Sequence, residues 1–332
     1  MATAARSTLS GAFFGAALVA AGVYSPSVIL GQMQLKNFHM LKTFLAASAT
    51  SAIAIILANR YRVSACKPRT PATLDLFGPL DGNILGGLLL GFGMALTGTC
   101  PGTLIPQLVA GVRSGPLVLL GGILGGILFS RFGKPLLGKV RDGNLVDRPT
   151  VFQRLKAKQE NATAVYEAVC LAIIGSLNHY FPDRGSLLVP SAVGGTLIGL
   201  SQATCLMLTG NTLGISGAYE QLGDLFWWVE QSVLGGRRTP RPSIKATSFA
   251  IGTALGSWGL LKYLGIATPA SSMDIGPMRA VFGGILLIFG SRTAGGCTSG
   301  HGISGMSQLS IASIVTVASM FGGGVALTAL VG

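Results

Sequence analysis

The chain has 332 residues, 49% of them hydrophobic and 11% charged, with a formal net charge of +13. Soluble proteins carry about 25% charged residues, and a chain with less than half that share cannot cover a water-facing surface. A soluble protein is therefore excluded and lipid is the expected solvent, in keeping with a mean hydropathy of +0.61 and 49 glycines, which are frequent in membrane helices because they admit close backbone approach.

The N-terminal "MATAARSTLSGAFFGAALVAAG" has one Arg before an apolar run, as a signal peptide does. The run continues into helix-like sequence and shares a pattern with later segments, so it is expected to be a retained first membrane helix. Windows long enough to cross follow at 9–31, 41–59, 84–110, 116–130, 163–181, 187–209, 246–265, 278–295 and 306–331, which predicts an all-α polytopic membrane protein with nine crossings. As a helix, 41–59 would span about 28 Å, close to the hydrocarbon thickness.

Segment 211–235, with "AYEQLGDLFWWVE", carries three acids and two tryptophans and reads as an interfacial helix. The basic residues fall in connectors: Arg60, Arg62, Lys67 and Arg69; eight between Arg131 and Lys158; then Arg237, Arg238, Arg241 and Lys245. With nine crossings all three clusters share one side, which places the N-terminus on the cytoplasmic side and assigns the charge to orientation and anionic lipid rather than nucleic acid. The polar linker 131–162 separates a first half, 1–130, from a second half, 163–332. Asn161-Ala-Thr163 is a glycosylation sequon on the inner side and is expected to be unused.

An internal repeat organises the halves. "GGLLLGFGMALTGTC" (86–100) and "GGILLIFGSRTAGGC" (283–297) align without a gap and match at 8 of 15 positions, including Gly98/Gly295 and Cys100/Cys297. "GAFFGAALVAAGVYSP" (11–26) and "GTLIGLSQATCLMLTGNTLG" (195–214) share the plan: glycines four apart on an apolar helix, then a glycine and a polar or Pro-containing break. The break glycines are Gly22, Gly98, Gly210 and Gly295, two in each half.

Backbone that leaves helical geometry inside a bilayer costs several kcal/mol per unpaired group, so breaks survive only when buried in protein or lining a cavity. Broken helices at matching places in two halves point to a transport site near the midplane. Half-helix N-termini and Arg292 favour an anion, and the breaks "GTCPGT" and "GGCTSGHGISG" contain no acid for a cation. Gly296 and Thr212 lie in the breaks of the second half. Of five cysteines, Cys66 and Cys170 read as small hydrophobes. Cys100 and Cys297 coincide under the repeat, and Cys205 lies within two turns of Gly210. A thiol is a weak, polarisable donor and acceptor that suits a partly dehydrated sulfur-containing anion. The odd count and the absence of CxxC argue against a disulfide framework. One Cys with His301 is too little for a metal site, and no cofactor motif is present. His39 and His179 sit near predicted membrane boundaries and indicate nothing specific.

At these residues the sequence resembles the YeeE/YedE family of sulfur-compound transporters. "GSRTAGGCTSGHGISGMSQLS" with "ASMFGGGVA", and "GFGMALTGTCPGTLIPQLVAG", carry the likeness, and "GAFFGAALVAAGVYSPSVILG" and "GNTLGISGAYEQLG" fit the two remaining units. The resemblance implies nine crossings with short helices dipping in, pseudo-two-fold halves, and uptake of thiosulfate, with selenium-compound traffic for some members. It gives Cys100 and Cys297 the role of pathway thiols. Tyr24 stands where the first unit can hold a pathway cysteine, and the nearby Cys205 is a possible substitute. A cytosolic sulfur-handling protein is a possible partner. Two other classes stay open: a membrane sulfur-transfer enzyme with a persulfide cysteine, and a structural lipid-binding protein, which leaves the paired thiols unexplained.

Overall fold

The computed structural model describes residues 2–63, 66–138, 145–146, 149–183, 188–233, 240, 242–265 and 275–331. Arg237, Arg238 and Arg241 of the third basic cluster lie outside them. The described chain is helical: α1 Ala2–Ala20, α2 Pro26–Met33, α3 His39–Arg60, α4 Asp81–Thr97, α5 Leu104–Val109, α6 Gly115–Leu128, α7 Val151–Arg154, α8 Gln159–Tyr180, α9 Ser191–Thr209, α10 Gly217–Val233, α11 Lys245–Tyr263, α12 Pro277–Thr293 and α13 Ile311–Val331. Its only extended pairings among described residues are two isolated bridges, Thr73 with Gly138 and Thr150 with Ser310.

Among the described residues four helical stretches are long and apolar enough to cross a bilayer: His39–Arg60, Gly115–Leu136, Ser191–Thr209 and Ile311–Val331. Pro277–Thr293 with Thr298–Gln308, bent by 42°, makes a fifth when taken as one broken span. The remaining windows are helical but shorter or more polar, since α4 stops after 17 residues and α8 holds Glu160 and Glu167. The segment read as interfacial forms the amphipathic α10, whose Trp227 indole donates to the Ile127 carbonyl of α6 at 3.0 Å.

Small residues set the packing. Alpha-carbon faces meet where α1 crosses α11: a Cβ on Gly252 would stand 1.9 Å from the Thr8 carbonyl oxygen, and one on Gly256 1.9 Å from that of Ala12. Lipid tails are as apolar as the side chains, so such close approach, rather than hydrophobic burial, holds these helices together. The repeated helices also meet. Gly86 of α4 faces the Gly290 carbonyl of α12, and Gly93 faces that of Gly283, so each repeat glycine touches the counterpart of the other. One apolar core surrounds Leu90, Met94, Cys100, Leu287 and Met320. A second surrounds Phe14, Leu18, Ile198, Cys205 and Cys297.

Candidate functional site

All four break glycines adopt left-handed backbone, with φ of 68° at Gly22, 57° at Gly98, 68° at Gly210 and 80° at Gly295. An L-residue avoids that region, so glycine is what lets each helix stop and turn inside the protein. The carbonyls stranded by each break find side-chain donors, as burial demands. His39 Nε2 donates to Ala21 at 2.7 Å, Gln107 Nε2 to Gly98 at 2.9 Å and Asn211 Nδ2 to Thr209 at 2.8 Å. At the fourth break Asn83 Nδ2 and His301 Nε2 both donate to Ala294, at 3.1 and 2.9 Å, and Arg69 donates to Gly295 at 3.1 Å. His301 is thus a buried break residue, its Nδ1 paired with the Ser313 hydroxyl at 2.9 Å. Beyond Cys297 the chain rewinds as a wide π-helical turn, Thr298–Gly305, which is buried throughout.

A cavity of about 50 Å³ lies at the seam of the two cores, lined by Phe14, Phe44, Cys100, Thr103, Thr298 and Ser299 among others. That is room for a few waters. The Thr43 hydroxyl also lines it, buried and with no partner among the described residues. The Cys100 thiol has the Thr103 hydroxyl at 3.4 Å. Cys297, with no exposed surface, stands just behind the wall, its sulfur 3.2 Å from the Ser299 hydroxyl. The Gly300 N–H and the N–H and hydroxyl of Ser216 complete a ring of donors around that sulfur. Cys100 and Cys297 are close enough to interact electrostatically, and the buried Tyr219 phenol interacts with both. The other expected residues are placed differently. Cys205 belongs to the Cys297 core and reaches the Thr209 hydroxyl at 3.6 Å. Tyr24 packs with Val19 and Leu261 in a separate cluster, and Thr212 is half-buried. Gly98 and Gly296 are buried at their turns.

The charges are arranged in a way the sequence did not display. Arg292 is ion-paired with Glu220 of α10, and its other arm reaches the Ser216 hydroxyl at 3.4 Å. Glu220 also holds Lys134 at 2.7 Å. The acidic partner missing from Arg292's own segment is therefore supplied by the interfacial helix. Arg69, from the connector before α4, enters the fourth break instead. Its guanidinium lies against Gly296 and Gly300, where a Cβ would come within 3.3 and 2.7 Å of it. There it interacts electrostatically with Cys297 and His301, and no described carboxylate pairs with it.

A protein of Xylella fastidiosa strain 9a5c described as a probable transporter is 31% identical over 140 residues, which is 42% of this chain and 92% of that protein. A probable transporter of Xylella fastidiosa strain Temecula1 is 32% identical over 140 residues, again 42% of this chain and 92% of its own. Each is matched almost end to end by less than half of this chain. The profile of the family described as "Sulphur transport" matches residues 20–326, and with nearly its whole length inside that profile the chain belongs to the Sulphur transport family, as an integral multi-pass membrane protein.

Proposed function

We propose that the chain is a permease for thiosulfate or a similar sulfur-containing anion, not an enzyme. In this reading two halves, 1–130 and 163–332, are related by a pseudo-two-fold axis, joined by 131–162, and cross the bilayer nine times from a cytoplasmic N-terminus. Reciprocal glycine contacts between α4 and α12 support the relation of the halves, as do relatives matched by less than half of the chain. The anion sheds part of its water at the cavity. The thiols of Cys100 and Cys297, the hydroxyls of Thr43, Thr103 and Ser299, and the Arg69 guanidinium replace that water. Desolvating an ion costs several kcal/mol even after relaxation, so several donors must act together. Arg292 acts one step back, through Ser216. Selenium compounds of like shape and charge would fit the same donors, and a cytosolic sulfur-handling protein would receive the cargo. Transfer needs no covalent step, since a persulfide or thiosulfonate on cysteine would slow release.

The observation that carries the reading is that the cysteines of two matched breaks lie within electrostatic reach of each other, and Cys297 within that of a guanidinium with no described carboxylate partner. The test is uptake of labelled thiosulfate by proteoliposomes. Cys100→Ala and Cys297→Ala are each expected to lower uptake about tenfold, the loss of one contact of about 1.4 kcal/mol. Wild-type uptake in both variants would sink the thiol pathway. Arg69→Met removes a charged hydrogen bond of about 1.5–3 kcal/mol to the passing anion, so the substrate concentration for half-maximal uptake should rise about ten- to a hundredfold. An unchanged value would remove Arg69 from the path.

A further inference from the structure

Away from the cysteines, the start of α3 holds a second buried polar cluster that thiosulfate transport does not use. His39 is 4% exposed. Its Nε2 lies 2.7 Å from the Ala21 carbonyl oxygen. A carbonyl can only accept, so Nε2 carries the hydrogen, and the neutral ring presents a bare lone pair at Nδ1. That Nδ1 is buried with no hydrogen-bond partner among the described residues. It faces Asp183 Oδ1 at 3.7 Å, beside a polar cavity of about 290 Å³ lined by Lys36, Asn37, His39, Lys42 and Asp183 among others. A lone pair turned toward a carboxylate is an unfavourable pairing that one added proton converts into an ion pair.

The neighbours are already engaged. The Lys42 ammonium gives its hydrogens to Asp183 Oδ1 at 2.5 Å, Asn178 Oδ1 at 3.0 Å and the Phe181 carbonyl at 3.0 Å. Asp183 Oδ2 accepts the Ser191 N–H at 2.9 Å. Burial alone would raise the Asp183 carboxyl, but its bonds to Lys42 and Ser191 outweigh that and hold it at about 2, so it is a standing anion at working pH. The groups facing His39 are therefore Asp183 from the segment after α8, Lys42 from α3 itself and Lys36 from the connector before it. Helix α8 adds the neutral Asn178, and the turn after α1 adds the Ala21 carbonyl. Asp183 draws a proton to the ring and Lys42 opposes it. Nδ1 is a buried acceptor of this cluster with no hydrogen-bond partner among the described residues.

We propose that His39 Nδ1 is a proton-binding site, faced by Asp183 and coupled to the first helix break through the Ala21 carbonyl. Protonation at Nδ1 makes Nε2–H a stronger donor, and that bond caps the residue just before Gly22. Proton occupancy and the geometry of the first break are then linked, as reciprocal coupling requires. For a permease the link has a use: an anion entering a negative-inside compartment moves against the membrane potential, and a proton moving with it offsets part of that work. The transport half of this proposal rests on the anion-uptake reading; the proton site does not.

The chain has three histidines, so NMR of isotope-labelled histidine in the full-length protein resolves them, with His39→Gln as the assignment. Expected at alkaline pH is a His39 ring with its hydrogen on Nε2, and on acidification a second proton on Nδ1. In Asp183→Asn that change should move to lower pH by about one unit or more, and in Lys42→Met to higher pH, as a lost opposite or like charge dictates. A ring that stays neutral throughout, or that carries its hydrogen on Nδ1 at alkaline pH, overturns the site without need of either variant. Uptake of thiosulfate should depend on pH over the range of that titration in the wild type and be flat in His39→Gln, whose amide still donates to Ala21 but takes no proton. A His39→Gln protein with the wild-type pH profile overturns the coupling. A His39 that titrates as expected in a protein that carries no thiosulfate would uphold the proton site and refute the substrate.

Discussion

Gly252→Leu is expected to leave no folded protein. Helices α1 and α11 touch backbone to backbone, with Gly11 and Gly15 on one and Gly252 and Gly256 on the other. A Cβ at Gly252 would sit 1.9 Å from the Thr8 carbonyl oxygen, 2.7 Å from its carbon and 2.8 Å from its Cα. None of these is a flexible tip, so the whole helix must move away. Overpacking costs about 1–3 kcal/mol even where side chains can yield, and Gly252→Ala should fall in that range. Leucine exceeds it and takes up much of a total stability of about 5–15 kcal/mol. The control is on the same helix: a Cβ on Gly259 meets nothing within 4 Å, so Gly259→Leu should be as stable as the wild type. Size-exclusion profile and thermal melting in detergent measure both. A Gly252→Leu protein that melts within about 2 °C of the wild type would contradict the packing argument. Because α1 also supplies Phe14 and Leu18 to the cavity wall, partial separation would reach the transport path as well.

Glu220→Gln should be the second large effect. Glu220 and Arg292 are 15% and 20% exposed at the side chain, and Arg292 Nε is buried without a partner among the described residues. Removing one member of a buried pair leaves the other uncompensated, at a cost of about 3–5 kcal/mol, whereas replacing both by apolar or neutral groups is often close to neutral. Partial solvent screening and the second ion pair of Glu220, to Lys134, place the expected loss near the lower end. The double variant Glu220→Gln with Arg292→Met should recover most of it in a double-mutant cycle. Uptake by that double variant separates two roles. Retained uptake is expected if Arg292 braces Ser216 and the Cys297 donors from behind. A stable double variant without uptake would make Arg292 a direct anion contact.

Much of this was legible in the sequence, and the reason is local. The break glycines could be read because a left-handed turn after a glycine-spaced apolar helix depends on the residues within one turn of it, and Gly22, Gly98, Gly210 and Gly295 all adopt positive φ. The coincidence of Cys100 and Cys297 under the repeat is likewise a local feature of the sequence. What escaped were pairings between distant segments. Arg69 looked like one more residue of a basic connector, yet it reaches the fourth break 226 residues away. Glu220 looked interfacial because acids and tryptophans share its helix, but Arg292 lies beside it. His39 looked like a boundary residue and Asp183 drew no notice, and only the packing of α3 against α8 brings them to 3.7 Å. Tyr219 was passed over while Tyr24 was singled out by register. It is Tyr219 that stands near both sulfurs.

The donors that cap the breaks also impose an order of assembly. Each of the first three breaks has one donor from its own hairpin: Ala21 has His39, 18 residues on, Gly98 has Gln107, 9 residues on, and Thr209 has Asn211, 2 residues on. These local bonds can form as soon as each hairpin leaves the ribosome, before Arg279 reaches the Ala95 and Leu96 carbonyls and Ser304 that of Leu213. The fourth takes Asn83 and Arg69 from 211 and 226 residues earlier. Its hydrogen-bond partners are synthesised and inserted long before residues 294–305 exist, and until then two polar side chains wait beside α4 without the carbonyls they will bind. The last break to be made is therefore the one that closes the molecule, and a nascent chain halted before it should be the form most exposed to membrane quality control.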